Sequence, residues 1–200
     1  MGYVHYVTVL IGVSVRGRAV GGVVHVPFTG GKYERKHDPL NTMAHQPPAA
    51  SVAPERADGK VGQTIWGAVG AGVHGVERVP DADIPAGRRF ITTTRTPFSP
   101  ALAALLEEMK PQQVIRCGGA GSKGLLVLSR EADAYVYPQG GTKRWDTCAI
   151  DACVKALGGR FTDQFGDEIV YDPDANYENA KGLLATLHGH EQYLLPKPSA

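Results

Sequence analysis

The chain has 200 residues, of which 21 are basic and 20 are acidic, and its formal net charge is +1 at pH 7. A net charge this close to zero gives no overall electrostatic attraction to a nucleic acid polymer or an anionic membrane, so the charge balance does not predict binding to either. Apolar residues make up 42% of the chain, enough for a substantial core, and 25 glycines with 14 prolines are too few for a disordered chain. We expect a globular protein that holds any anionic ligand through local groups.

Three cysteines, Cys117, Cys148 and Cys153, form an odd set without CxxC spacing. Cys148 and Cys153 are five apart on a predicted helix and cannot face each other. We therefore expect reduced core thiols in a cytoplasmic protein. The apolar stretch from Val4 to Val15 is interrupted by polar residues, so it predicts a strand rather than a signal peptide or a membrane span.

The first part of the chain predicts β-structure. Apolar, β-branched runs predict strands at Val4–Val15, Ala19–Val26, Ile65–Val69 and Val73–Val79. The first two are separated by Arg16-Gly17-Arg18, a hairpin signal. Residues 29–62 lack periodicity and predict a long exposed loop. We expect residues 1–79 to form an antiparallel sheet without helices covering it.

From about residue 88 the pattern alternates between strand and helix. Strands are predicted at Phe90–Thr94, Val114–Cys117 and Ala134–Tyr137, and helices at Pro100–Met109, around Leu125–Ser129 and after Asp146. Ser99 followed by Pro100 is typical of a helix start, and Gly158 of a helix end. This order predicts an α/β domain over residues 88–200, with a mostly parallel sheet and helices on both faces.

The segment that carries chemistry runs from Gly140 to Ala149 and contains Trp145-Asp146. Asp is a strong N-cap residue, and a helix N-terminus favours a phosphate nearby. A carboxylate beside such a terminus could hold Mg²⁺ next to a phosphate, although a cap alone would also explain Asp146. Two look-alikes are set aside: Gly70–Gly75 fits GxGxxG but precedes no helix, and Gly118–Lys123 lacks the P-loop spacing.

Eight blocks, in order, resemble the inositol monophosphatase superfamily and, within it, the 3′(2′),5′-bisphosphate nucleotidase branch. The blocks are Val7-Thr-Val-Leu-Ile-Gly12, Thr64-Ile-Trp-Gly67, Ile91-Thr-Thr-Thr-Arg95, Arg116-Cys-Gly-Gly-Ala-Gly-Ser-Lys123, Asp133-Ala-Tyr-Val136, Trp145-Asp-Thr-Cys-Ala149, Gly158-Gly-Arg-Phe-Thr-Asp163 and Gly182-Leu-Leu-Ala-Thr186. The resemblance implies a layered sandwich, here an α+β sheet remnant followed by an α/β sandwich.

The same resemblance implies a Mg²⁺-dependent, lithium-sensitive phosphatase that converts adenosine 3′,5′-bisphosphate to AMP and phosphate. It implies Asp146 as a metal ligand and Thr94, Gly119 and Lys123 as substrate-binding residues. Two departures from the branch, Pro97 in place of histidine and Ser122 in place of asparagine, leave the nucleotide preference open. An inositol phosphate phosphatase, or a non-catalytic remnant that binds nucleotide, remains an alternative.

Members of the superfamily carry further metal-binding motifs before the block that begins at Val7, and those motifs supply most metal ligands and the general base. Asp38-Pro39-Leu40-Asn41 imitates one of them but follows the strand that it should precede, and Asn41 replaces its second acid. The resemblance therefore implies the C-terminal portion of such an enzyme, with no catalytic residue of its own. We expect this chain alone to be catalytically silent.

Overall fold

The computed structural model describes residues 4–28, 62–174 and 176–197. Most of the predicted loop, and the Asp38-Pro39-Leu40-Asn41 motif, lie outside the described residues. The described strands and helices are β1 (Val9–Val15), β2 (Arg18–Val26), β3 (Gln63–Ala68), β4 (Gly72–His74), β5 (Phe90–Thr94), α1 (Pro100–Met109), β6 (Gln113–Cys117), α2 (Ala120–Leu128), β7 (Ala134–Tyr137), α3 (Arg144–Ala156), β8 (Arg160–Thr162) and β9 (Leu183–Thr186).

The first sheet is antiparallel, with the strand order β1-β2-β3-β4. As the sequence predicts, β1 and β2 form a hairpin. Its turn residues Arg16 and Gly17 have φ values of 51° and 74°. Two positive φ values in a row are the geometry of a type I′ turn, which matches the twist of the two strands that it joins.

Two strand boundaries in this sheet differ from the sequence prediction. The strand predicted from Val4 begins at Val9, because Val4–Tyr6 form a short 3-10 turn instead. The strand predicted over Val73–Val79 ends at His74. Gly75 follows with a φ of 79°, which turns the backbone out of the extended conformation.

The second sheet is mixed, with the strand order β6-β5-β7-β9-β8. The central strand β5 is parallel to both β6 and β7. However, β9 runs antiparallel to β7 and to β8, so the prediction of a mostly parallel sheet is wrong for half of the strand pairs. The strand-helix alternation that favours parallel pairing ends with α3, and a long irregular connection leads from β8 to β9.

Helices α2 and α3 lie between the two sheets. The largest group of buried side chains contains Val24 and Ile65 of the first sheet, Ile150 and Val154 of α3, and Leu183 of β9. On the far side of the second sheet, α1 buries Leu102, Leu105, Leu106 and Met109 against Ile91, Val136 and Leu184. The fold is therefore a mixed α/β stack of sheet, helices, sheet and helix, and the second sheet has helices on both faces as predicted.

The outer face of the first sheet is apolar and exposed. Val9, Ile11 and Val13 of β1 are 51%, 60% and 52% exposed, and Trp66 of β3 is 46% exposed. The opposite face of the same sheet packs on α3, so the expectation of a sheet without helical cover holds for the outer face and is wrong for the inner one. Exposed apolar area of this kind is unusual on soluble monomers.

Candidate functional site

The candidate site lies where the parallel strands of the second sheet end. In the parallel register Thr94 of β5 pairs with Cys117 of β6, so Thr94 and the turn after Cys117 leave the sheet side by side. Strand β7 is parallel to β5, and the chain that leaves its carboxyl end leads to Asp146. Carboxyl ends of parallel strands are a common place for ligand sites in α/β proteins.

Asp146 lies in the first turn of α3 but is not its N-cap. The helix begins at Arg144 after the N-cap Lys143, which makes Asp146 the third helical residue. The prediction of an Asp146 N-cap is wrong by three residues, although the Asp146 side chain still accepts a backbone N–H at the start of the helix. The Lys143 backbone N–H donates to Asp146 Oδ2 over 2.8 Å. None of the described residues donates a hydrogen bond to its other carboxylate oxygen, Oδ1, which could bind a cation.

Gly119 forms the turn into α2. It is the N-cap of that helix and has a φ of 71°, a backbone conformation that residues other than glycine rarely adopt. A Cβ there would also approach the Tyr6 carbonyl oxygen to 3.0 Å. Ser122 donates its hydroxyl hydrogen to that same oxygen over 2.9 Å. Ser122 therefore anchors the first turn of the chain to α2.

Lys123 is buried against the turn rather than exposed on its helix. Its ammonium group donates to the carbonyl of Gly119 over 2.6 Å, lies 3.4 Å from that of Cys117, and sits 5.2 Å from the centre of the Tyr135 ring. Burial lowers the pKa of Lys123, an effect that Cys117 and the Asp146 carboxylate partly offset. In this geometry Lys123 fixes the glycine turn and brings a positive charge close to Asp146.

Thr94 is partly buried at the end of β5. Its hydroxyl lies 2.8 Å from that of Thr96 and accepts the Thr96 backbone N–H over 3.2 Å. The guanidinium of Arg116 bridges the same segment, because it donates to the carbonyls of Arg95 and Thr96 over 2.9 and 2.8 Å. The segment after β5 is thus held against β6, next to the glycine turn.

Sequence reasoning missed Tyr135, a fully buried residue of β7. Its hydroxyl has no hydrogen-bond partner among the described residues. Burial raises its pKa well above the ordinary value, and the nearby groups Tyr137, Cys117 and Asp146 raise it further. The apolar sequence around Tyr135 identifies it as a core residue only, and nothing in the pattern indicates that its buried hydroxyl lacks a hydrogen-bond partner.

The described residues fit one part of a Mg²⁺ site. They contain no group of three or more His, Cys, Asp or Glu side chains that could enclose a metal ion. Mg²⁺ is commonly held by one or two carboxylates together with waters and substrate phosphate. Asp146 can supply one such carboxylate oxygen beside a helix N-terminus, which suits a metal that is shared with a phosphate.

Comparison with known proteins assigns the family. The sequence model of the inositol monophosphatase family matches residues 1–196. This chain belongs to that family. It is 34% identical to human 3′(2′),5′-bisphosphate nucleotidase 1 over 199 residues, which are 100% of this chain and 56% of that protein. It is also 33% identical to the protein of the same name from Dictyostelium discoideum, over 97% of this chain and 57% of the relative.

Solved structures of the family show the same fold. Staphylococcal IMPase-II superimposes with a TM-score of 0.60 at 14% identity, over 92% of this chain and 60% of that one. CysQ from Bacteroides thetaiotaomicron superimposes with a TM-score of 0.58 at 17% identity, over 92% and 64%. The chain spans a little more than half the length of the curated nucleotidases that it matches. Among the described residues, no helix is long and apolar enough to cross a membrane.

Proposed function

We propose that this chain takes part in the Mg²⁺-dependent hydrolysis of a phosphate monoester, with adenosine 3′,5′-bisphosphate as substrate and AMP as product. The observation that carries the proposal is the position of Asp146 in the first turn of α3, where its charge acts on the buried ammonium of Lys123. That ammonium donates to the Gly119 carbonyl in the turn into α2. The identity to bisphosphate nucleotidases over the full chain supports the nucleotide as substrate.

Each residue has a proposed role in that site. Asp146 binds the metal ion through its carboxylate, and the hydroxyl of Thr94 binds the substrate. Gly119 lets the backbone approach the phosphate closely, while Lys123 holds the turn and adds positive charge. When bound, Mg²⁺ neutralises phosphate oxygens and activates water. Because the described residues offer so few carboxylates at this place, we expect the chain alone to bind nucleotide without hydrolysing it.

An inositol phosphate is the second candidate substrate. Staphylococcal IMPase-II, which shares this fold, has been solved with inositol monophosphate and with 2′-AMP. The same architecture therefore accepts both kinds of phosphate monoester. Direct comparison of AMP and inositol monophosphate binding to this chain separates the two candidates.

The role of Asp146 is tested by the variant Asp146→Asn. Asparagine can still accept the Lys143 N–H, so the free energy of unfolding should change by less than about 1 kcal/mol. The affinity for AMP, measured by calorimetry with and without Mg²⁺, should lose its metal dependence, a weakening of roughly tenfold or more at saturating Mg²⁺.

The matched control for this experiment is Glu107→Gln, which makes the same chemical change on the exposed side of α1. That variant should keep the metal dependence of the wild-type chain. If Asp146→Asn also keeps it, Asp146 is only a helix cap and the metal assignment is wrong.

A further inference from the structure

The guanidinium of Arg116 contacts the segment that follows β5 at three points. Its Nη2 donates to the carbonyls of Arg95 and Thr96 over 2.9 and 2.8 Å. The guanidinium carbon also lies 4.4 Å from the centre of the Phe98 ring. Between these contacts stands Pro97, whose side-chain ring restricts its φ. The segment is therefore held in one place against β6, although it belongs to no helix or strand.

The position of this segment determines the hydrogen bonds of the Thr94 hydroxyl. Thr94 Oγ1 accepts the backbone N–H of Thr96 over 3.2 Å and lies 2.8 Å from Thr96 Oγ1. Two hydroxyl groups carry two hydrogens, and their mutual contact uses one of them. No acceptor in the described part of the chain takes the second hydrogen. The pair of threonines therefore keeps one O–H donor that a ligand can use.

The two hydroxyls lie next to the turn that carries the other proposed substrate-binding groups. Thr94 pairs in register with Cys117, and neighbouring strands are about 4.8 Å apart. The carbonyl of Cys117 in turn lies 3.4 Å from the Lys123 ammonium. A phosphate oxygen is ionised, so a hydrogen bond to it is about twice as strong as one between neutral groups. A fixed O–H donor at this place suits such an acceptor.

We propose that Arg116 is a positioning residue, which holds the Thr94 hydroxyl in place to donate to a phosphate oxygen of the ligand. This inference rests on the proposed function, in which Thr94 binds the substrate. Thr96 donates to Thr94 Oγ1, and the hydrogen that remains is the one on Thr94. Arg116 acts through the backbone of Arg95 and Thr96 and does not contact the ligand. Its effect on affinity therefore cannot exceed that of the Thr94 hydroxyl.

A double-mutant cycle tests this role, with the affinity for AMP measured by calorimetry in the presence of Mg²⁺. Thr94→Val should weaken binding by roughly 10- to 150-fold, the range for a hydrogen bond to a charged group. Arg116→Lys keeps the charge but loses the planar group, so it should weaken binding by roughly threefold or more, up to the effect of Thr94→Val. In the Thr94→Val background, Arg116→Lys should change the affinity by less than about twofold.

Two further variants separate positioning from a general structural effect. Thr94→Ser keeps the hydroxyl, so Arg116→Lys should weaken AMP binding in that background as much as it does in the wild-type chain. Phe98→Leu removes the ring that the guanidinium contacts but leaves both of its hydrogen bonds. It should cause a smaller loss of affinity that again requires the Thr94 hydroxyl, and it carries the test if Arg116→Lys does not fold.

Arg88 provides the matched control. Its Nη2 also donates to a main-chain carbonyl, that of Arg130, over 2.7 Å, and its guanidinium carbon lies 4.9 Å from the centre of the Phe90 ring. It precedes β5, at the opposite end of that strand from Thr94. Arg88→Lys should lower the free energy of unfolding, measured with urea, and leave the AMP affinity unchanged. An equal loss of affinity in Arg88→Lys and Arg116→Lys would overturn the positioning role, because destabilisation of the fold would then explain both.

The other failures are distinguishable. Unchanged affinity in Arg116→Lys, or an equal loss with and without the Thr94 hydroxyl, overturns the positioning role and leaves the proposed function standing. Unchanged affinity in Thr94→Val also overturns it, and removes Thr94 from the substrate site without affecting the metal role of Asp146. If the wild-type chain does not bind AMP, the proposed function and the positioning role fail together.

Discussion

His190 is a buried histidine whose two ring nitrogens both meet threonine hydroxyls. Nε2 lies 2.8 Å from Thr162 Oγ1, and Nδ1 lies 3.0 Å from Thr186 Oγ1. Thr162 already donates its hydroxyl hydrogen to the Asp163 carbonyl over 2.6 Å, so it can only accept from the ring. With its hydrogen on Nε2, the neutral ring donates to Thr162 and accepts the Thr186 hydroxyl hydrogen at Nδ1, so both ring nitrogens have a partner. A second ring proton, on Nδ1, would occupy the position of that hydroxyl hydrogen.

This arrangement predicts a pH-dependent stability. Burial, with a smaller effect from Arg160, lowers the pKa of His190 to about 4. The unfolded chain, with an ordinary histidine pKa of about 6.5, binds more protons than the folded chain between these values, so stability falls as pH drops through that window. The free energy of unfolding of the wild-type chain relative to His190→Gln should therefore decrease from pH 7 to pH 4.

The comparison with His190→Gln is needed because Asp151 titrates in the same range. Burial raises the pKa of its carboxyl group to about 6, and that shift acts in the opposite direction, favouring the folded chain at lower pH. Asp151 is present in both proteins, so its effect cancels in the difference. A difference in unfolding free energy that stays constant from pH 7 to pH 4 would show that His190 is not kept neutral by the fold.

Lys123 and Asp146 show how far single residues can be predicted from sequence. The motif correctly indicates a glycine turn followed by a helix that carries Lys123. Its burial against the carbonyls of Gly119 and Cys117 depends on the backbone path of that turn, which the pattern does not specify. Asp146 is placed at the right helix end, but Lys143, a residue with no capping preference, is the N-cap.

The packing of α3 on the first sheet depends on glycines. A Cβ on Gly22 would lie 2.2 Å from the carbonyl oxygen of Ala149, and one on Gly12 would lie 2.6 Å from the Cβ of Cys148. Distances this short are incompatible with a side chain unless the helix moves. The close approach lets Ala149, Ile150 and Cys153 become almost completely buried. Glycine is therefore required on the face of β2 that contacts α3.

A pair of adjacent substitutions in β2 tests this contact. Gly22→Ala should destabilise the fold by about 1–3 kcal/mol or more, because the colliding atoms are backbone and cannot rotate away. Gly21→Ala is the control, since its Cβ would meet no atom closer than 3.8 Å. That variant should change the free energy of unfolding by less than about 1 kcal/mol. Urea unfolding measures both, and equal losses would exclude the helix contact as the cause.

Helix α1 and helix α3 differ in how well their ends could be predicted. Both ends of α1 carry local signals: Ser99 accepts the Leu102 N–H over 3.3 Å, and Pro111 follows shortly after the last turn. The start of α3 combines a local contact, from the Lys143 N–H to Asp146 Oδ2, with a bond between Arg144 and Tyr177, which are distant in sequence. The direction of a strand in the second sheet likewise depends on which distant strands it pairs with. The sequence pattern therefore does not predict that β9 is antiparallel to β7 and β8.

Within the part of the chain that the structure describes, the stack of layers leaves one face of the first sheet uncovered. On the outer face of the first sheet, Ile11, Val23 and Trp66 pair in register across β1, β2 and β3. The inner face of the same strands carries Val24 and Ile65, both covered by α3. The sequence predicts the presence of all four strands, although two of their boundaries are wrong. Because apolar residues occur on both faces of the strands, the pattern does not indicate which face the helix covers.

Two isoleucines in this sheet separate the covered face from the open one. Ile65 is 1% exposed and Ile11 is 60% exposed. Ile65→Ala should cost about 2–5 kcal/mol of unfolding free energy, because it leaves a cavity under α3. Ile11→Ala removes side-chain surface that is largely in contact with water, so it should cost less than about 1 kcal/mol. Urea unfolding at several protein concentrations measures both values. A loss for Ile11→Ala as large as that for Ile65→Ala would mean that the outer face is buried in solution, contrary to the exposed position described above.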